Sequence, residues 1–135
     1  MLMLDTNTIS YYFRGAPSVV TRMLATPPDR IAVSAVVVYE LRTGLLRMPA
    51  AAGRKRMEAL DSFLASIETL SFDRAASHAA AVIAASLAQR GEPIGPLDVL
   101  IAGAARAVGA TLVTRNVREF ARVDGLLIEN WFGEG

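Results

Sequence analysis

Cysteine is absent from the chain, which excludes a disulfide framework and any thiolate metal site. The absence suits a reducing compartment. Histidine occurs once, as His78 in an alanine-rich stretch, so an imidazole-built cage is out and His78 reads as a structural or surface residue. Lysine also occurs once, as Lys55, and every other basic residue is arginine. No apolar run approaches the roughly 20 residues that a membrane helix needs, and no basic segment precedes the apolar start. A soluble, unexported, cytoplasmic protein with no membrane partner is therefore expected. Net charge is only +1, which by itself carries no nucleic-acid signal. Nor is there a GxSxG elbow, a P-loop or an evident Ser-His-Asp set.

What is present is a chain of 135 residues, 53% hydrophobic and 20% charged, enough for one domain over residues 1–135 with its own core. Met1 to Leu4 form an apolar run with no wet face, as in a strand covered by helices on both sides. "TNTISYYFRG" and "PSVVTRMLATP" read as short helices punctuated by Gly15, Pro17 and Pro27-Pro28. "IAV" is a second strand, and Ser34 can cap a helix running to about Met48. "AAGRKRMEALDSFLASI" is amphipathic, and "ETLSF" is a short strand or an extended link. Asp73 caps a long helix closed by Gly91, and Pro96 opens another closed by Gly109. "ATLVT" and "LLIENW" are strands, with "RNVREFARVDG" a loop holding one helical turn. The alternation predicts an α/β fold, a single α/β/α sandwich with a central, mostly parallel sheet flanked by helices. Ligands of such sheets sit beyond the carboxyl ends of strands, where the strand order switches. Asp5 and the segment after Thr114 both lie at such ends.

Three acids lack a local partner. On a helix, partners stand three or four residues away. Around Glu40 those positions hold Val36, Val37, Thr43 and Gly44, and around Asp98 they hold Ile94, Gly95, Ile101 and Ala102. A buried, unpaired carboxylate is costly, so it must be protonated, hydrogen-bonded, paired at long range or bound to a metal. Taken singly, Asp5 can be a turn cap and Asp98 a helix-start acid. Taken together with Glu40 they point to a shared site. Oxygen ligands without His or Cys suit Mg²⁺ or Mn²⁺, which serve phosphoryl chemistry by activating water and neutralising charge on phosphate. Glu119 differs, because Arg115 four residues before it and Arg122 three after it account for it by local pairing. Asn116 follows the strand "TLVT" at the same edge. Thr6 and Asn7 follow Asp5 closely enough to orient its carboxylate, and Thr114 ends the strand ahead of Asn116, so these three are the expected supports.

The segments "LDTNTIS", "VVVYELRTGL", "IGPLDVLIAGAARAVGATLVT" and "RNVREFARVDGLLIENW" resemble those of PIN-domain proteins. More closely, they resemble the VapC-type ribonuclease toxins of bacterial toxin–antitoxin pairs, over essentially the whole chain. The resemblance implies a PIN-like sandwich, a homodimer and a metal-dependent endoribonuclease. That enzyme would cleave tRNA or another structured RNA by water attack on a phosphodiester. It implies Asp5, Glu40 and Asp98 as ligands of Mg²⁺ or Mn²⁺. It also implies a VapB-type antitoxin that covers the acidic pocket, with operator DNA bound only through the antitoxin complex. Many PIN domains carry a fourth acid where this chain has Asn116. An amide offers a neutral oxygen but no charge. In the VapC-type variant that "TRNVREF" resembles, Glu119 completes the pocket, which leaves the number of metals open.

Two alternatives stand beside this. "DTNT" is one residue from the D-x-D-x-T motif of haloacid-dehalogenase-like phosphatases, with Asn7 in place of the second Asp and no lysine near. A non-catalytic acidic pocket that docks a partner's arginine is the other. For RNA contact the candidates are Arg14, Arg42, Arg47, Arg115, Arg118 and Arg122, each equally readable as a solvated surface charge. The aromatics of "SYYF" and Trp131 are better read as packing than as base-stacking groups.

Overall fold

In a computed structural model, which describes residues 1–133, the opening apolar run becomes strand β1 (Leu2–Leu4) at the centre of a five-stranded sheet. Met3 and Leu4 are fully buried, as a strand covered on both faces requires. The chain continues through α1 (Thr6–Phe13), α2 (Pro17–Ala25), a 3₁₀ turn at Pro28–Arg30, β2 (Ile31–Ser34), α3 (Ala35–Leu46) and α4 (Ala50–Leu64). It then forms β3 (Glu68–Leu70), α5 (Arg74–Gln89), α6 (Pro96–Ala107), β4 (Thr111–Val113), α7 (Val117–Phe120) and β5 (Leu127–Glu129). "ETLSF" is thus a true edge strand, and the loop after β4 holds one short helix. Among the described residues no helix is long and apolar enough to cross a membrane.

The strand order is β3-β2-β1-β4-β5, and every neighbouring pair is parallel. The chain works outward from β1 to β3, then returns to lay β4 on the other side of β1. The order therefore reverses between β1 and β4, the place where open α/β sheets bind ligands. Leu4 stands opposite Val113 in the register, so Asp5 and Thr114 leave the sheet side by side. The Asp5 N–H and the Thr8 hydroxyl both donate to the Val113 carbonyl, each at 3.1 Å.

Local chemistry sets the helix ends. The Ser34 hydroxyl accepts from the Val36 N–H at 3.1 Å and the Asp73 carboxylate from the Ala76 N–H at 2.9 Å, each satisfying a free donor of the first turn. Gly91 and Gly109 close α5 and α6 with φ of +68° and +66°, which a side chain would resist. The core joins Leu4, Val33, Ile83, Leu87, Leu112 and Phe120. Tyr12 and Phe13 pack their rings against Phe63, at 5.5 and 5.7 Å between centroids, and so seat α1 on α4.

Helices α5 and α6 approach through small residues. A Cβ added to Gly103 would lie 2.6 Å from the Ala80 Cβ, so one more methyl forces the two backbones apart. Since α6 carries Asp98, its seating also sets the site. Gly103→Ala is expected to destabilise the protein by about 1–3 kcal/mol in urea unfolding, from overpacking. The control is Gly44→Ala on α3, where nothing lies within 4 Å of the new methyl. Gains in helix propensity make that change neutral or stabilising by up to about 1 kcal/mol.

Candidate active site at the carboxyl edge of the sheet

Asp5 is the first residue past β1 and the N-cap of α1. Its Oδ1 accepts from the Thr8 N–H at 2.8 Å, and the residue is only 4% exposed. Burial pushes its carboxyl above the ordinary value, while hydrogen bonds from Thr114 and Thr8 pull the other way. Capping and site are thus the same carboxylate. Glu40, half-buried on α3, accepts from the Thr6 hydroxyl at 2.7 Å, which ties α3 to α1. Asp98 stands in the first turn of α6 and folds back on Gly95, where a Cβ would meet its Oδ2 at 3.1 Å. Glu119, on α7, receives the Asn116 side-chain amide on Oε2 at 2.9 Å.

Asp98 reports that these groups share one place. Its pKa is raised from 3.8 to about 6, first by burial and then by the charges of Glu119, Glu40 and Asp5. Like charges resist joint ionisation, and among the described residues no cationic side chain acts on Asp98 to offset them. Asp5, Glu40, Asp98 and Glu119 therefore form one electrostatic unit, drawn from four separate segments.

Several expected contacts fall elsewhere. The Thr6 hydroxyl goes to Glu40, Asn7 is exposed, and Thr8 and Thr114 are the residues that hold Asp5. Spacing arguments overlooked Thr8, although an N-cap Asp bonding the third helical residue is ordinary capping. Glu119 is not paired with Arg115 or Arg122. Arg115 donates to the Tyr11 hydroxyl at 2.7 Å, and Arg122 to the Pro93 carbonyl at 3.1 Å with Glu92 at 3.9 Å. The helical pairing rule fails because both arginines lie outside the single turn of α7. Arg42 is engaged by Asp61 at 2.8 Å, whereas Arg14, Arg47 and Arg118 are exposed. A groove of about 820 Å³ between α1, α3 and α4 runs from Thr6 and Glu40 past Phe13 and Arg14 to Lys55 and Arg56. The packing of α4 turns Lys55 and Arg56 toward this groove, which the amphipathic spacing of that segment does not by itself reveal.

The donor set fits a hard divalent cation. It is oxygen only, it carries excess negative charge, and burial together with the neighbouring acids raises the Asp98 carboxyl. Among the described residues no group of three or more acids stands close enough to hold a metal ion as placed, so a cation here would be held by one or two carboxylates with waters completing its shell.

Comparison with known proteins places this geometry among relatives. Residues 2–126 match the PIN domain family. The tRNA(fMet)-specific endonuclease VapC of Shigella flexneri is 36% identical over 131 residues, 96% of each chain. Ribonuclease VapC2 of Rickettsia felis is 34% identical over 131 residues, again 96% of each. Among solved structures, VapBC2 from Rickettsia felis bound to a DNA fragment from its promoter superposes with a TM-score of 0.89 at 32% identity, covering 96% of this chain and 98% of that one. FitAcB from Neisseria gonorrhoeae superposes with a TM-score of 0.91 at 28% identity, covering 99% of this chain and 100% of that one.

Two outcomes are expected from the electrostatics. Glu119→Gln removes the leading like charge on Asp98, so the Asp98 pKa moves down from about 6 toward its ordinary 3.8 in an NMR titration. An unmoved pKa would return Glu119 to the surface. Between 3.8 and about 6 the native Asp98 keeps a proton that the unfolded chain has lost. The unfolded state then binds fewer protons, so stability in EDTA falls as pH rises through that window. Asp98→Asn should flatten that slope in urea titrations across the same range.

Proposed function

The chain belongs to the PIN-domain family, and from that premise we propose that it is a VapC-type toxin, a Mg²⁺- or Mn²⁺-dependent endoribonuclease whose substrate is tRNA or another structured RNA. The observation that carries the reading is the set of four carboxyl groups at the switch between β1 and β4, where burial and then the other three acids raise the Asp98 carboxyl to about 6. Two relatives at 36% and 33% identity are named as tRNA(fMet)-specific endonucleases, which supports tRNA as the substrate class.

Asp5, Glu40 and Asp98 would hold the cation, which when bound supplies the positive charge that activates water and offsets charge on the phosphodiester. Thr8 and Thr114 keep the Asp5 carboxylate directed, and Thr6 does the same for Glu40. Asn116 holds Glu119 by Oε2, which leaves Oε1 to take a proton from the attacking water. The water oxygen forms a bond to phosphorus as the bond from phosphorus to the ribose oxygen breaks. One product keeps the phosphate, and the departing ribose oxygen takes up a proton. The groove with Arg14, Lys55 and Arg56 on its wall offers a cationic approach for the RNA backbone.

A VapB-type antitoxin is the natural partner, since solved relatives are VapBC complexes, two of them bound to DNA. In that assembly an antitoxin arginine would supply the missing positive charge, a homodimer of this chain would be the toxin unit, and operator DNA would be bound through the antitoxin. The phosphatase alternative loses its support. Asn7, an amide at the second acid position of that motif, is exposed and can supply no carboxyl group there.

The test is cleavage of pooled tRNA by the purified protein with Mg²⁺, with Mn²⁺ and with EDTA. Discrete products that need the metal, and a loss of about 100-fold or more in Asp98→Asn, are expected. Equal cleavage in EDTA, or an Asp98→Asn variant as active as the parent, would overturn the assignment.

A further inference from the structure

Past β5 the chain crosses the carboxyl edge of the sheet as a strap. Trp131 is anchored in the core at 2% exposure. Phe132 packs its ring against that of Tyr11 on α1, 4.7 Å between centroids. The Phe132 N–H donates to Asn130 Oδ1 at 2.9 Å and the Gly133 N–H to Ser18 Oγ at 3.0 Å, so the strap is pinned on both sides of the ring. Onto this surface falls Arg115. Its guanidinium carbon is 3.8 Å from the Phe132 centroid, and Nη1 donates to the Tyr11 hydroxyl at 2.7 Å. A planar guanidinium laid on one ring and bonded to a second aromatic has both its plane and its direction set.

Arg115 stands between the two loop residues that serve the acidic site. Thr114 hydrogen-bonds Asp5, and its Oγ1 also accepts from the Asn116 N–H at 2.9 Å. Asn116 holds Glu119. The loop lies between the end of β4 at Val113 and the start of α7 at Val117, with one further sheet bond, from the Thr114 N–H to the Glu129 carbonyl at 2.9 Å. The Asn116 carbonyl accepts from the Phe120 N–H at 3.3 Å, and the arginine clamp is a further constraint, between these two ends of the loop.

We propose that Phe132 is a positioning residue for the acidic site, because the guanidinium of Arg115 stacked on its ring fixes the 114–116 loop that carries Thr114 to Asp5 and Asn116 to Glu119. Phe132 touches neither RNA nor cation in this role. The inference rests on the cation assignment made above, and it does not need RNA to be the substrate.

The experiment measures Mn²⁺ affinity by electron paramagnetic resonance, kcat and KM on tRNA, and the thermal midpoint. It uses the full chain and the variants Phe132→Ala, Phe132→Leu, Phe132→Tyr and Arg115→Lys. Phe132→Ala and Phe132→Leu should bind Mn²⁺ about tenfold more weakly, the size of effect seen when a ligand's support is removed. Their kcat should fall with KM little changed. Phe132→Tyr, which keeps the ring, restores both, whereas Arg115→Lys, which keeps charge but not the plane, does not. Leucine restoring what alanine loses would assign Phe132 to packing alone and overturn the proposal. So would a change confined to the thermal midpoint, or one confined to KM, which would make Arg115 an RNA contact. If the parent binds Mn²⁺, responds to Phe132 and cuts no RNA, the ribonuclease reading fails and the positioning role stands. No Mn²⁺ binding by the parent overturns both.

Discussion

A carboxylate that water barely reaches is the constraint around which the carboxyl edge of this sheet is organised. Asp5 is 4% exposed at the end of the central strand, and with Glu119 and Glu40 it is one of three acids whose charge, after burial, raises the carboxyl of Asp98. Parallel pairing brings every strand's carboxyl end to one edge, and with it the starts of the helices that follow. The amino ends of α1 and α6, which carry partial positive charge, thus stand where Asp5 and Asp98 are. Side chains and one amide supply the rest, with the Thr6 hydroxyl on Glu40 and the Thr8 N–H and the Thr114 side chain on Asp5. Backbone dipoles and hydroxyls can orient four acids but cannot neutralise them. That residual charge is what a divalent cation held here would offset.

The basic residues divide by task. Arg42 joins α3 to α4 through Asp61, Arg22 meets Glu129, and Arg90 reaches Asp124 and the Arg122 carbonyl. Arg115 belongs to the aromatic strap. What remains open to a polyanion near the acids is Arg14, Lys55 and Arg56 along the groove, with Arg118 exposed beside Glu119. A chain of net charge +1 can therefore still present a local cationic approach.

The helices were legible because their ends are written in side-chain chemistry. Ser34, Asp73, Pro96, Gly91 and Gly109 mark starts and stops without help from tertiary structure. Alternation put Asp5 and the segment after Thr114 at carboxyl ends of strands, whereas the strand order that makes β1 and β4 neighbours depends on long-range pairing. The candidate acids Glu40 and Asp98 were legible by elimination, since nothing at helical spacing neutralises them. Glu119 was not. Its neighbours Arg115 and Arg122 satisfy the spacing rule in the sequence, but the rule holds only inside a helix longer than α7. Lys55 and Arg56 escaped for a different reason, because which side of α4 faces the groove depends on where α3 and α1 lie. Strand β3 was ambiguous because its burial pattern is mostly exposed.

The pairing of β1 with β4 has a consequence in time. Leu4 meets Val113, and the Thr8 hydroxyl reaches a carbonyl 105 residues further along the chain. Closing so long a loop is slow compared with forming the helices between. During synthesis, Asp5 and Glu40 emerge early, whereas Asp98, Thr114 and Glu119 belong to the final third. Until β4 has left the ribosome there is no switch point, no Val113 carbonyl under Asp5 and no acidic cluster. A nascent chain therefore lacks the clustered acids, and the order of the strands acts as a delay as well as a scaffold.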